Sequence, residues 1–312
     1  MSNRKPLLNL LMLCLIAILL SACGGSSATP TAAPPTPAPA SVTNDVPYTI
    51  PLQPGGRASL ADIYAPISPG DLPSVVISTF HPEQRNLPAY VELAYAIAAR
   101  GAVVFVVDIT SAPYPDLFTS PGGAGARRDA EVTACAIRFA RANAARHGGR
   151  SDTVVFIGHT QAGYNGMWQA LVGDEVDRVW DDFAASHGGA PRQVDCTASR
   201  DTSARVDAFI GFSGAYTIYN DAELPDNPDR VAVLNPATYI GRNTDVFLRL
   251  LPAKSEVVVP KWVVELNEQF YQDLLAAGHD VTWTVVDTTH IDRIDAKARE
   301  AILEAFDEAT SR

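Results

Sequence analysis

Gly158-His159-Thr160-Gln161-Ala162-Gly163 is the stretch whose residue types and spacing could do chemistry. It follows a β-branched apolar run, Thr153-Val154-Val155-Phe156-Ile157, and precedes a helix-forming stretch from Tyr164 to Leu171. A strand, a sharp turn flanked by glycines and then a helix is the setting of a nucleophile elbow, G-x-S-x-G, which presents a hydroxyl at the top of a sheet. The glycines matter because a side chain on so tight a turn strikes the neighbouring backbone. Here Thr160 occupies the serine position, with Ala162 two places on and then Gly163. Its hydroxyl is chemically able to attack a carbonyl. Its methyl, however, restricts χ1 and crowds the incoming carbonyl. A misplacement of ~1 Å costs on the order of a hundredfold in rate, so slow acyl transfer, or none, is the chemistry to expect.

Strands must flank the elbow to hold it, and the pattern supplies them. Pro47 to Tyr64 reads as antiparallel edge strands broken at Pro54-Gly55-Gly56, and Ser74 to Thr79 and Ala102 to Val107 read as buried strands. Val206 to Phe212, Val246 to Leu251 and Val281 to Val286 follow the elbow as further strands. Between them lie helix-period stretches: Ala89 to Arg100 stopped by Gly101, Arg127 to His147 with Val132, Ile137 and Phe139 inward, and Lys261 to Ala277. A last helix, Ala296 to Ala309, is capped by Asp295. Strands alternating with helices predict an α/β fold, a mostly parallel sheet covered on both faces. Val172 to Ala204 fits neither period; it reads as a lid, a pocket wall or a surface excursion.

The first 22 residues read as an export signal: Arg4 and Lys5, then an apolar run from Leu7 to Leu20, shorter than the ~20 residues a bilayer span needs. Leu20-Ser21-Ala22-Cys23 resembles the lipobox of bacterial lipoproteins, which implies cleavage before Cys23, lipidation of its thiol and a chain held at the outer face of an envelope membrane. Residues 23–41, with Pro30, Pro34, Pro35, Pro37 and Pro39, form a semi-rigid linker. Residues 42–312 suit one large domain. Losing Arg4 and Lys5 with the signal takes the net charge from −11 to −13, which argues against nucleic acid as a partner. Of four cysteines, Cys135 and Cys196 remain for the domain; a disulfide and two separately buried thiols both stay open. The six histidines are too scattered for a metal cluster, and no cofactor is expected.

Taken together, the elbow, Asp45-Val46-Pro47-Tyr48, Arg100-Gly101-Ala102-Val103-Val104, the Arg141 to Gly149 helix end and Asn235-Pro236-Ala237-Thr238-Tyr239 resemble the bacterial esterase/lipase branch of the α/β-hydrolase superfamily over residues 45–310. The resemblance implies an α/β-hydrolase fold and a small-molecule ester as substrate or ligand. It also implies a triad in the order nucleophile, acid, histidine: Thr160, Glu256 and His290. Glu256-Val257-Val258-Val259-Pro260 resembles the family's D-x-x-V-P segment, with Asp245 the rival acid. His290 follows the strand at Val281–Val286, where the family carries its base. The oxyanion donors would be the backbone N–H of Gln161 and a second from the Phe80-His81-Pro82-Glu83 loop, assigned to His81. That loop departs from the family's H-G-G-G, and losing one donor typically costs ~10²–10³ in turnover. Two departures in one site open a second reading, a degenerate hydrolase kept as a ligand-binding module. Ser213, in Gly211-Phe212-Ser213-Gly214-Ala215, also follows a strand, but no elbow helix follows it.

Overall fold

A computed structural model describes residues 40–67, 72–79, 84–109, 120–217, 228–255, 261–288 and 294–312. Cys23, His81, Glu256 and His290 lie outside the described residues, as do residues 1–22, read above as an export signal. The strands are β1 (Ala40–Pro47), β2 (Thr49–Pro51), β3 (Leu60–Pro66), β4 (Leu72–Ser78) and β5 (Val103–Val107). They continue as β6 (Gly149–His159), β7 (Val194–Cys196), β8 (Ala208–Phe212), β9 (Phe247–Leu251) and β10 (Val281–Trp283). The helices are α1 (Pro88–Ala98), α2 (Ala124–Asn143), α3 (Gln161–Val172) and α4 (Val176–His187). Then come α5 (Pro228–Leu234), α6 (Lys261–Ala276) and α7 (Ala296–Thr310).

Eight strands form one sheet in the order β1-β3-β5-β4-β6-β8-β9-β10. The β1–β3 and β3–β5 pairings are antiparallel, and every pairing from β5 to β10 is parallel. Successive residues of a strand face opposite ways, and here both faces are cores. Val103, Phe105 and Val107 of β5 enter one core while Val104 and Val106 enter the other. Val154 and Phe156 of β6 join the first core, and Val155 and Ile157 the second. This two-sided burial is why the inner strands are uninterrupted apolar runs rather than alternating ones. Ile137 of α2, Met167 of α3 and Phe270 of α6 cover the first face; Leu93 of α1 and Ile302 and Phe306 of α7 cover the second.

Two expectations need correction. The domain begins earlier than residue 42, because Ala40 and Ser41 already pair with Pro66 and Ala65 in the sheet. Val172 to Ala204, which fits neither period in the sequence, has regular structure. It holds α4, which buries Trp180 and Phe183, and β7, which pairs antiparallel with β2. The helical period was masked by the charge density of Asp177, Arg178, Asp181 and Asp182, and β7 is too short to show alternation.

This region is tied to α2 by charge and by covalent bond. Arg127, buried on α2, pairs with Glu131 at 2.8 Å and with Asp181, and donates to the carbonyl of Ala190 at 2.9 Å. Glu131 accepts the backbone N–H groups of Gln193 and Val194. Burial raises its carboxyl above the usual range, with Arg127 and these donors opposing. Cys135 of α2 and Cys196 of β7 form a disulfide with their Cα atoms 5.0 Å apart, which closes the alternative left open by the sequence.

Candidate active site

Thr160 joins the end of β6 to the start of α3 with φ 53° and ψ −116°. A β-branched residue rarely adopts such a backbone, which costs of order 1–3 kcal/mol and persists only where the surroundings enforce it. Two hydrogen bonds enforce it here. The Thr160 N–H donates to the Phe212 carbonyl at 3.1 Å, and the Gly163 N–H donates to the Thr160 carbonyl at 2.9 Å. The turn is also tight enough to demand glycine before it: a Cβ on Gly158 would lie 2.5 Å from the Ala162 carbonyl oxygen. The Thr160 hydroxyl is buried and has no hydrogen-bond partner among the described residues.

His159, on the other side of the turn, plays a packing part. Its ring stacks on Phe212 with centroids 5.2 Å apart, and its Nδ1 lies 2.9 Å from the Tyr90 hydroxyl of α1. Tyr164 and Trp168 of α3 are core residues that hold α5: the Tyr164 hydroxyl donates to the Leu234 carbonyl, and the Trp168 indole N–H to the Val233 carbonyl. Gln161, the oxyanion candidate, is the first residue of α3 and is buried. Its backbone N–H thus belongs to the first turn of a helix, where amides lack partners within the helix.

At the carboxyl edge of the sheet, the described segments end at Ser255 and Thr288, next in sequence to the candidates that lie outside them. The Ser213 N–H, just past β8, donates to the Leu251 carbonyl at the end of β9. Beyond β9, the Lys254 N–H donates to the Val286 carbonyl at 2.8 Å and the Ser255 N–H to the Thr288 carbonyl at 3.4 Å. The chain entering Glu256 and the chain approaching His290 therefore run side by side through Ser255 and Thr288. Asp245, the rival acid, precedes β9 at the amino edge of the same parallel strands, 69 % side-chain exposed and paired with Arg205. Its place at the opposite end from Thr160 removes it from the site. Ser213 is buried and is followed through Thr217 by chain without regular secondary structure rather than by a helix.

On the other flank, the N–H of Thr79 donates to the Val107 carbonyl at 3.3 Å, just before the segment containing His81. Just after that segment, Arg85 is held by Asp62 of β3, by Asp108 at 2.7 Å and by Asp45 of β1 at 2.9 Å. Sequence reasoning missed Arg85. Its three partners come from separate parts of the chain, and no local pattern marks them. It also missed Asn267 of α6, whose contacts with the turn after β8 are equally non-local. A groove of about 510 Å³ opens beside the Arg85 cluster, lined by Asn44, Tyr64, Asn86 and Tyr95 among others; Thr160 does not line it.

No family model matches the chain, and no curated protein sequence matches it. Solved structures do. A truncated carbohydrate esterase from gut microbiota superposes with a TM-score of 0.62 at 16 % identity, over 89 % of this chain and 99 % of that one. Esterase 2 of Thermogutta terrifontis, phosphorylated by paraoxon, gives 0.59 at 18 % identity over 88 % and 94 %. A putative carboxylesterase from Lactobacillus plantarum gives 0.57 at 11 % identity over 87 % and 98 %. At such identities the likeness is one of architecture, and with the mostly parallel sheet and the strand–turn–helix at Thr160 it establishes that this chain has the α/β-hydrolase fold.

Proposed function

We propose that the protein hydrolyses carboxylic esters through a Thr160–Glu256–His290 triad. The observation that carries this reading is the strained backbone of Thr160 and its buried hydroxyl, without a partner among the described residues, at the strand-to-helix turn. Strain of this kind is retained where a reacting group must be held at one point. The contacts of Ser255 with Thr288, which lead toward Glu256 and His290, and the esterase names of the structural neighbours support it further. In the reaction, His290 takes the Thr160 proton as Oγ1 bonds to the ester carbonyl carbon. Glu256 orients the imidazole and balances its charge. The Gln161 N–H, with a second donor from His81, stabilises the oxyanion. Collapse expels the alcohol, which receives the proton from His290. Water, deprotonated by the same histidine, then cleaves the acyl-threonine to release the acid.

The same reading has the chain exported and lipid-anchored through Cys23. The Cys135–Cys196 disulfide supports export, because such bonds persist in oxidising compartments. A second reading, a degenerate hydrolase that binds a ligand, draws on the enclosure of the Thr160 hydroxyl and on Pro82 where the resembled family has glycine. Hydrolysis of p-nitrophenyl acetate and butyrate by the full chain, beside Thr160→Ala and Thr160→Ser, separates the two. Turnover that Thr160→Ala abolishes supports the threonine as nucleophile. Silence of the parent with activity in Thr160→Ser shows an intact frame that the natural residue does not use. Silence of all three leaves the binding module.

A further inference from the structure

Four non-glycine residues among those described have positive φ: Asp45, Thr160, Ser213 and Asn243. Asn and Asp visit this region with local side-chain help, whereas Thr and Ser do so far less readily. Thr160 and Ser213 are also neighbours. His159 pairs with Phe212 as the last position of the β6–β8 register, so each strained residue is the first one past the end of its strand. The Thr160 N–H ends on the Phe212 carbonyl, which belongs to the same peptide unit as the Ser213 nitrogen. The orientation of that carbonyl is therefore set by the corner at Ser213, whose φ is 47°.

The corner is clamped from α6. Asn267, buried, donates from Nδ2 to the Gly214 carbonyl at 2.8 Å and accepts the Tyr216 N–H at Oδ1 at 2.9 Å. The Tyr216 ring folds back beneath it, with its hydroxyl donating to the Gly211 carbonyl at 2.7 Å. The clamped turn then meets the elbow: a Cβ on Gly163 would come within 3.1 Å of the Gly214 Cα. Two contacts thus pass from this turn to the elbow, one to the Thr160 amide and one to the first turn of α3.

We propose that Asn267 is a positioning residue for Thr160, acting through the strained Ser213 corner that it clamps. The inference rests on the hydrolase reading above. Without the clamp, Ser213 relaxes toward negative φ, the Phe212 carbonyl turns, and the elbow loses the acceptor that fixes its height. Displacement of a nucleophile by ~1 Å is worth on the order of a hundredfold in rate. Neither Asn267 nor Ser213 is assigned a contact with substrate, so KM is left as it was.

The test is steady-state ester hydrolysis by the full chain in both the parent and the Thr160→Ser background, at a temperature where every variant is folded by circular dichroism. Asn267→Ala is expected to lower kcat by 10- to 100-fold with KM changed less than about twofold. Glycine holds φ 47° without strain, so adding Ser213→Gly to Asn267→Ala should recover at least tenfold of the loss. Ser74→Ala, which removes a hydrogen bond to the Arg150 carbonyl at the amino end of β4, serves as the destabilised control and should keep kcat. Unchanged kcat in Asn267→Ala, or a loss that Ser213→Gly does not relieve, overturns the clamp and leaves the hydrolase reading standing. No turnover in either background overturns both.

Discussion

Breaking the Cys135–Cys196 bond should be among the most damaging changes available away from the elbow. The two cysteines are 61 residues apart in sequence, so the bond removes the closure entropy of a long loop from the unfolded chain. For a loop of that length the chain-entropy relation gives about 4 kcal/mol at 25 °C. In a domain of this size 1 kcal/mol moves Tm by roughly 2–4 °C, so the double variant Cys135→Ala/Cys196→Ala should melt on the order of 10 °C lower. Both residues are buried and Arg138 lies 3.9 Å from the Cys196 sulfur, so the variant also loses some packing and falls no less than the entropy alone predicts. Guanidinium unfolding of parent and variant, each with and without reductant, measures the difference. The parent in reductant should approach the variant, and the variant should be indifferent to reductant. Peptide mapping without reduction should recover the fragments containing Cys135 and Cys196 as one linked species. A loss below about 1 kcal/mol, or recovery of both cysteines alkylated from the unreduced, unfolded chain, would refute the reasoning.

The remaining expectations concern residues that hold the fold around the site. Gly158→Ala places a methyl against the Ala162 carbonyl oxygen and should cost about 3 kcal/mol or prevent folding, read as loss of soluble protein; a variant of parental stability would mean the turn is looser than described. Thr160→Gly should be about 1 kcal/mol more stable in denaturant than Thr160→Ala, because both remove the hydroxyl and only glycine relieves φ 53°; equal stabilities would mean no backbone strain is stored there. Arg85→Met deprives buried Asp62 and the adjacent Asp108 of their shared cation and should cost about 3–5 kcal/mol, against a much smaller loss if the cluster is solvated. Asp295 caps α7 by accepting the Ala298 N–H at 2.9 Å, so Asp295→Ala should cost about 1 kcal/mol at neutral pH. Burial alone would raise its carboxyl, but the Ala298 N–H and the Thr288 hydroxyl outweigh burial and hold it below the usual range. Its folded value therefore lies below the unfolded one of about 3.9; the gap between parent and variant should be complete above that pH and close as pH falls through the folded value. A gap that widens in acid would contradict the capping geometry.

What the sequence disclosed follows from how local each signal is. Val103 to Val107 and Val154 to Ile157 announce themselves because a strand buried on both faces needs an unbroken apolar run. Asp295 before Ala296 and Gly101 after α1 mark helix ends because capping is a contact of near neighbours in sequence. The elbow was legible at Thr160 for the same reason: Gly158 answers to atoms of Ala162 and Gly163, four and five residues away. The disulfide was not legible, since a 5.0 Å approach of two Cα atoms depends on β7 pairing with β2. Nor were the buried arginines of α2. Arg127 and Arg138 look like the solvent face of an ordinary helix until α4 delivers Asp181 and Asp177 to them. Asn267 is the extreme case, an unremarked polar residue on α6 whose partners belong to a turn some fifty residues earlier.

The outer strand β1 carries one more consequence. An eight-stranded sheet ends in two rows of unsatisfied amides and carbonyls, and a flat outer row is a template on which a neighbouring molecule can polymerise. Along β1 the pairing with β3 slips between Thr43 and Val46, where Asp45 turns to φ 57°, sends its own N–H back to Asp62 and leaves its carboxylate 71 % exposed. A bulge bends the row and a charge guards it, while the opposite edge, β10, is three residues long. Molecules crowded side by side on one surface, as a lipid anchor would hold them, meet again and again through such edges. Among the described residues, a bent row at one edge and a short one at the other make a poor template for pairing between such neighbours.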